Sequence, residues 1–384
     1  MVRAGVGGTA RPRAALRPVP AGGARTTGRG LALRGTVWPG GAGRAYDGWV
    51  IVAADGTVAA MGPADAVAVP ADLRTLGGPG QWIGPGVVDA HVHLAFRDPA
   101  TLLAAGVVGV RDLGAPPELA RVWRTRARPP AGSPFVAVAG PLLTAPRGYP
   151  SQGWGAAGFA VGVPSPEAAA GLVRKVVAGG VDLVKIALEP AGGAPVPDRA
   201  TVRAVVRAAH DAGLPVTAHA LTGEMVLRAL DAGVDELCHT PVGRLDERTV
   251  ERIAEADIPV VSTLQTFFSG GRGADAARNA AALVRAGVRL VYGTDLGNAG
   301  TRPGVDPREL DRLAAAGLGR LGALRSATQA AARAHGVRGR TGRIAVGDLA
   351  ALVLLTADPL VEPWAWRAPV VVVADGRVLF PAAP

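Results

Sequence analysis

Cysteine is almost absent from this 384-residue chain: Cys238 is the only one. No disulfide can therefore form within the chain, and a thiolate metal cluster is excluded. Any bound metal must then be held by nitrogen and oxygen donors. Lysine is nearly as scarce, with only Lys175 and Lys185 among 41 basic residues. Aromatic residues make up 4% of the chain and form no cluster with basic ones, which argues against a stacking platform for nucleic acid. No run of 18 uninterrupted apolar residues occurs, so no segment is expected to span a membrane.

The formal net charge is +10, but residues 1–30 hold six arginines and no acid. Removing those six charges leaves about +4 over the other 354 residues, too little for a basic stripe, and nucleic acid is not an expected partner. The same thirty residues are interrupted throughout by Arg, Pro and Gly, so they do not read as a cleaved secretory signal. They are expected to be a disordered leader on a cytoplasmic protein. Hydrophobic residues at 49% against 19% charged provide ample core material. The length suits one large α/β barrel with a small accessory unit.

Between residues 31 and 85, short apolar runs alternate with turn signals, as in Trp49-Val50-Ile51-Val52 before Asp55-Gly56. Residues 343–384 read the same way, with a hairpin turn at Asp375-Gly376, and the two ends are expected to pair into one β-sandwich. From 86 to 342, eight apolar runs alternate with Ala/Leu/Arg-rich stretches of helical period: 86–93, 107–112, 135–140, 181–186, 215–220, 234–239, 259–264 and 288–295. Pairs such as Ala212-Gly213 and Ala232-Gly233 end the helices. This rhythm predicts a parallel sheet closed as a (β/α)₈ TIM barrel.

In Asp89-Ala90-His91-Val92-His93, residues two apart point the same way along a strand, so Asp89, His91 and His93 share the inner face. Two imidazoles buried side by side need partners, and a divalent metal is the commonest reason for the arrangement. His219 and His239 close the fifth and sixth runs, on the rim where barrel enzymes place their chemistry. Asp295 closes the eighth; a carboxylate there can ligate a metal and accept a proton from metal-activated water. His210, in a helical pattern, and His335, near a helix end, read as structural. Lys185 ends the fourth run in a chain whose cations are otherwise arginine, Lys175 excepted. A buried ε-amine shifts its pKa readily, and CO₂ would convert it to an anionic carbamate able to bridge two metals. Pairing with Glu189 or Asp295 is the ordinary alternative, and Lys175 reads as solvated.

This set resembles the amidohydrolase superfamily, specifically its imidazolonepropionase-like and Xaa-Pro dipeptidase-like branch. The resemblance covers about residues 31–384. It rests on the Pro-Gly-x-x-Asp-x-His-x-His start, Lys185, His219, His239, Gly293-Thr294-Asp295 and the tail from Ala327-Thr328 to Asp348. It implies that His91, His93 and Asp295 hold the more buried of two divalent metals and that His219 and His239 hold the more exposed one. A carbamate on Lys185 and a hydroxide would bridge them. The hydroxide would attack a polarised carbonyl, and Asp295 would carry a proton to the leaving group of an amide-type bond. Zinc suits such a donor set best. Two departures stand out: Ala350-Ala351-Leu352 where an Asp is usual, and a third-strand loop, Gly140 to Pro150, without the Gly-Gly-His of dipeptidase-like relatives.

A deaminase would carry Glu three residues after the strand-five histidine, but position 222 is Thr and Glu224 is out of register. A phosphotriesterase-like or lactonase activity would use the same centre, whereas a non-catalytic scaffold is disfavoured because no ligand is missing. A small-molecule substrate is expected: a dipeptide, an N-acyl amino acid or a cyclic amide. Its contacts are expected from Arg111, Tyr149, Gln265 and Asn298, with Arg147, Phe267 and Phe268 on the same loops; Arg111 equally suits neutralising the ligand cluster. A homo-oligomer is compatible with the sequence but not legible in it.

Overall fold

The computed structural model describes residues 30–124, 133–336, 341–374 and 377–379. Residues 1–29 of the expected leader and the Asp375-Gly376 turn lie outside them. Strands β1 (Leu31–Val37), β2 (Tyr46–Val52), β3 (Val58–Pro63) and β4 (Arg74–Pro85) open the chain. The next ten are β5 (Val87–Val92), β6 (Val107–Asp112), β7 (Phe135–Val138), β8 (Leu142–Thr144), β9 (Ala160–Gly162), β10 (Val184–Leu188), β11 (Val216–Ala220), β12 (Glu236–Leu237), β13 (Val260–Val261) and β14 (Leu290–Val291). Three more, β15 (Leu352–Leu355), β16 (Val371–Ala374) and β17 (Arg377–Leu379), end it.

Both chain ends join one seven-stranded sheet in the order β17-β16-β15-β4-β1-β2-β3, with β15 antiparallel to β4. The sheet returns on itself. Val58 N donates to Asp348 O at 2.9 Å and Ala350 N to Gly56 O at 2.8 Å, tying the β2–β3 hairpin to the approach to β15. Leu33, Val50, Ile83, Leu352 and Val373, all buried, form the core enclosed between them. Trp82 of β4 stacks on Trp38 at 5.9 Å and meets Trp366 edge-on at 6.1 Å, carrying apolar packing from this sheet to the central strands.

The central strands are parallel, β5-β6-β7 in one ladder and β14-β13-β12-β11-β10-β8-β9 in another. Backbone hydrogen bonds bridge both seams. Ala90 N donates to Tyr292 O at 3.1 Å and Asp295 N to His91 O at 2.8 Å, while Asp182 N donates to Val138 O at 2.8 Å. The third expected run, 135–140, is shorter as a strand, and the loop expected after it holds a strand of its own. The chain turns at Gly140, whose φ of 67° is open to glycine, so Phe135–Val138 pairs with β6 and Leu142–Thr144 with β10. Several helices between the strands start on side-chain caps, as where Asp198 accepts from Thr201 N at 2.7 Å. Several stop at glycines of positive φ such as Gly213 and Gly233.

Alternation along these strands decides what faces inward. Val184, Ile186 and Leu188 of β10, with Val216, Ala218 and Ala220 of β11, enter the apolar core. Lys185, Thr217 and His219 take the opposite face and are equally buried. No described helix is long and apolar enough to cross a membrane.

Candidate metal centre

His91, His93 and Asp295 converge at the strand ends. His91 Nε2 and His93 Nε2 each lie 3.3 Å from Asp295 Oδ1, and all three side chains are buried. The backbone is shaped for this. A Cβ on Gly293 would sit 2.3 Å from Val261 Cγ1 and 3.2 Å from His91 Cβ, so only glycine lets the strands approach so closely. Asp295 itself holds a φ of 54°, a strained left-handed conformation for a non-glycine residue. Asp89, the third inward residue of β5, accepts from His91 N at 3.1 Å, from Thr294 N at 3.0 Å and from Thr294 Oγ1 at 2.5 Å. It ties the histidine strand to Gly293-Thr294-Asp295. Burial pushes its carboxyl up to about 7.

Burial favours the neutral form of His91, His219 and His239. His91 is driven well below its ordinary pKa by burial and then by the positive charge of Lys185, and His239 by burial and then by His219 and Lys185. His219 is lowered less, because its hydrogen bond to Glu189 opposes burial. His91 Nδ1 donates to the Cys238 carbonyl at 2.8 Å, so Nε2 presents a lone pair. That Nε2 and Asp295 Oδ1 have no hydrogen-bond partner. His239 Nδ1 meets Thr263 Oγ1 at 3.0 Å, and its ring lies 4.6 Å from that of His91 and 4.7 Å from that of His219.

Lys185 pairs with neither carboxylate expected of it. Its Nζ lies 2.6 Å from Cys238 Sγ, with both residues buried. Glu189 instead accepts from His219 Nε2 at 3.1 Å and from Ala191 N at 2.9 Å. Nitrogen and oxygen are not the only donors present. Cys238 Sγ lies within 4.8 Å of donor atoms of His91 and His239, a contribution that a cysteine count could not reveal.

The expected substrate contacts separate. Tyr149 is at the site, its ring 5.1 Å from that of His219, and its hydroxyl accepts from Trp154 Nε1 at 3.3 Å. Burial raises that phenol to about 12. Arg111 is not available to substrate. It is buried, donates to Ala90 O at 2.9 Å and forms an ion pair with Glu236, which also accepts from Thr217 Oγ1. The Gln265 carboxamide is engaged between Ser269 Oγ at 3.1 Å and Arg312 Nε at 2.8 Å. Asn298 is exposed and donates from Nδ2 to the Asp295 carbonyl at 3.0 Å. Trp154, unremarked in the sequence, packs 4.9 Å from the His93 ring; a lone tryptophan in a Gly-rich loop carries no signal of that position. His210 and His335 stand apart, on Asp235 Oδ2 at 2.8 Å and Val110 O at 2.6 Å.

The model of the amidohydrolase family matches residues 82–379. The chain belongs to the amidohydrolase family. No curated protein matches it. Among solved structures it is similar to a candidate prolidase from Bifidobacterium longum, at 26% identity and a TM-score of 0.80, covering 93% of this chain and 96% of that one. A Xaa-Pro dipeptidase with bound methionine is similar at 19% identity and 0.79, covering 91% and 100%. The ochratoxinase of A. niger follows at 16% and 0.76, covering 93% and 97%. These likenesses agree with the branch that the sequence resembles and with a TIM-barrel and β-sandwich architecture. This amidohydrolase is a hydrolase acting on carbon–nitrogen bonds.

Proposed function

We propose that this amidohydrolase is a metal-dependent hydrolase of dipeptides or N-acyl amino acids. Its (β/α)₈ barrel would span residues 86–342, and the β-sandwich residues 31–85 and 343–384. One observation carries the metal: the buried His91 Nε2 and Asp295 Oδ1 face each other at 3.3 Å without a hydrogen bond, and His93 Nε2 approaches the same oxygen. Two buried polar atoms left in this way are costly, and a divalent cation would satisfy both and take His93 Nε2 as a third donor. A neutral imidazole and carboxylate set fits zinc.

His91, His93 and Asp295 would hold one ion and His219 and His239 a second, with Lys185 carboxylated between them. When bound, such ions polarise a carbonyl and acidify water. The Asp295 carboxylate accepts a proton from the attacking water and returns it to the leaving nitrogen. The Tyr149 phenol, whose pKa burial raises to about 12 and which itself accepts from Trp154, would donate to the substrate oxygen as charge develops there. Support for a dipeptide comes from the prolidase and Xaa-Pro dipeptidase likenesses.

Elemental analysis of protein purified with bicarbonate, beside Lys185→Ala, tests this. About two metals per chain, falling to one or none in the variant, is the expected result, with Xaa-Pro hydrolysis abolished by chelation. One metal in both proteins would remove the bridge and make Lys185 structural.

A further inference from the structure

A dipeptide or N-acyl amino acid carries a carboxylate one atom beyond the scissile nitrogen, and that charge needs a cation at the site. Arg111 cannot serve, being buried against Glu236. Arg312 is also engaged: its Nε donates to Gln265 Oε1 at 2.8 Å and its guanidinium stacks 3.3 Å from the centre of the Phe268 ring.

Arg272 differs. It follows the helix Leu264–Ser269, and its backbone N donates to Phe267 O at 2.9 Å. Its guanidinium lies over the Phe267 ring, 5.5 Å from the centre, and that buried ring lies 5.7 Å from the ring of His239. Arg272 is exposed and takes part in no ion pair among the described residues. An exposed, unpaired guanidinium on an aromatic platform beside a candidate ligand is the arrangement that takes a carboxylate from solvent.

We propose that Arg272 anchors the free carboxylate of the substrate, so that the enzyme selects substrates bearing a carboxylate on the amine side of the cleaved bond. Phe267 is the apolar wall against which the adjoining residue packs. The proposal rests on the amide-hydrolase reading above, but its test does not depend on turnover.

Calorimetric binding of N-methylsulfonyl-L-proline and N-methylsulfonyl-L-prolinamide, in which a sulfonyl group replaces the cleaved carbonyl, is measured on the metal-loaded wild type, Arg272→Gln and Arg272→Lys. A charge-assisted hydrogen bond predicts that the wild type favours the acid by about tenfold or more. Arg272→Gln loses that preference while binding the amide as before, and Arg272→Lys retains part of it. Equal binding of acid and amide by the wild type, or a preference that survives Arg272→Gln, overturns the anchor. A preference lost in Arg272→Gln establishes it even if no dipeptide is hydrolysed, a result that would count against the dipeptidase reading alone.

Discussion

Lys185 Nζ lies 2.6 Å from Cys238 Sγ, so the chain's only cysteine is the partner of its only buried lysine among the described residues. Each explains the other's position. A buried amine within a central strand needs a polar neighbour, and a small polarisable thiol supplies one without a fixed negative charge.

The Cys238 thiol is fully buried, and burial raises its pKa to about 11. A thiol so shielded presents almost no thiolate. Native protein is expected to leave a chromogenic disulfide reagent unreacted over hours, and protein in guanidinium chloride to release one equivalent per chain. Cys238→Ala should lower the melting temperature more in chelated than in metal-loaded protein, because only the former relies on the thiol to satisfy Lys185. Rapid labelling of native protein would contradict the packing.

Asp295→Asn keeps the shape of the side chain but removes the proton acceptor. The expected fall in kcat is about 10²–10⁴-fold, the usual range for a general base. Steady-state kinetics on an active dipeptide, with metal content measured on the same samples, separates this from simple metal loss. Full metal occupancy with unchanged kcat would remove Asp295 from the chemistry.

The buried Arg111–Glu236 pair should make the single and double variants diverge. Arg111→Met leaves Glu236 buried without its cation and is expected to cost about 3–5 kcal/mol. Arg111→Met combined with Glu236→Leu should recover most of that in urea denaturation. A single variant as stable as wild type would show that the pair is not buried in solution.

Glu309 is fully buried beside the start of the helix Leu264–Ser269, accepting from Leu264 N at 2.9 Å and Gln265 N at 2.6 Å. Burial raises its carboxyl from 4.5 to about 7, against the pull of those bonds and of Ser262. The folded chain therefore binds a proton more tightly than the unfolded one. This contribution to stability is complete below about 4.5 and is lost as pH rises through 7. Unfolding free energies from pH 4.5 to 8 should fall more steeply for wild type than for Glu309→Gln. Parallel curves would show that Glu309 is ionised throughout.

The inward face of β5 was readable because it is local: alternation places Asp89, His91 and His93 together whatever the rest of the chain does. The order of strand and helix was readable for the same reason, as several helices carry their own cap or terminating glycine. The strand Leu142–Thr144 was not, because three residues between Gly140-Pro141 and Pro146 are too few to show a period.

Sequence by itself therefore determined the family resemblance, the alternating architecture and the set of side chains able to ligate. Tertiary structure alone decided their partners. It assigned Lys185 to Cys238 rather than to a carboxylate, Glu189 to His219, Arg111 to Glu236 and Gln265 to Arg312, and it left Arg272 exposed over Phe267. The reason is physical. A side chain's direction follows from two or three neighbours along the chain, whereas its ion pair depends on which strand packs opposite. Residues more than a hundred positions apart, such as Arg111 and Glu236, meet only when the sheet brings them together.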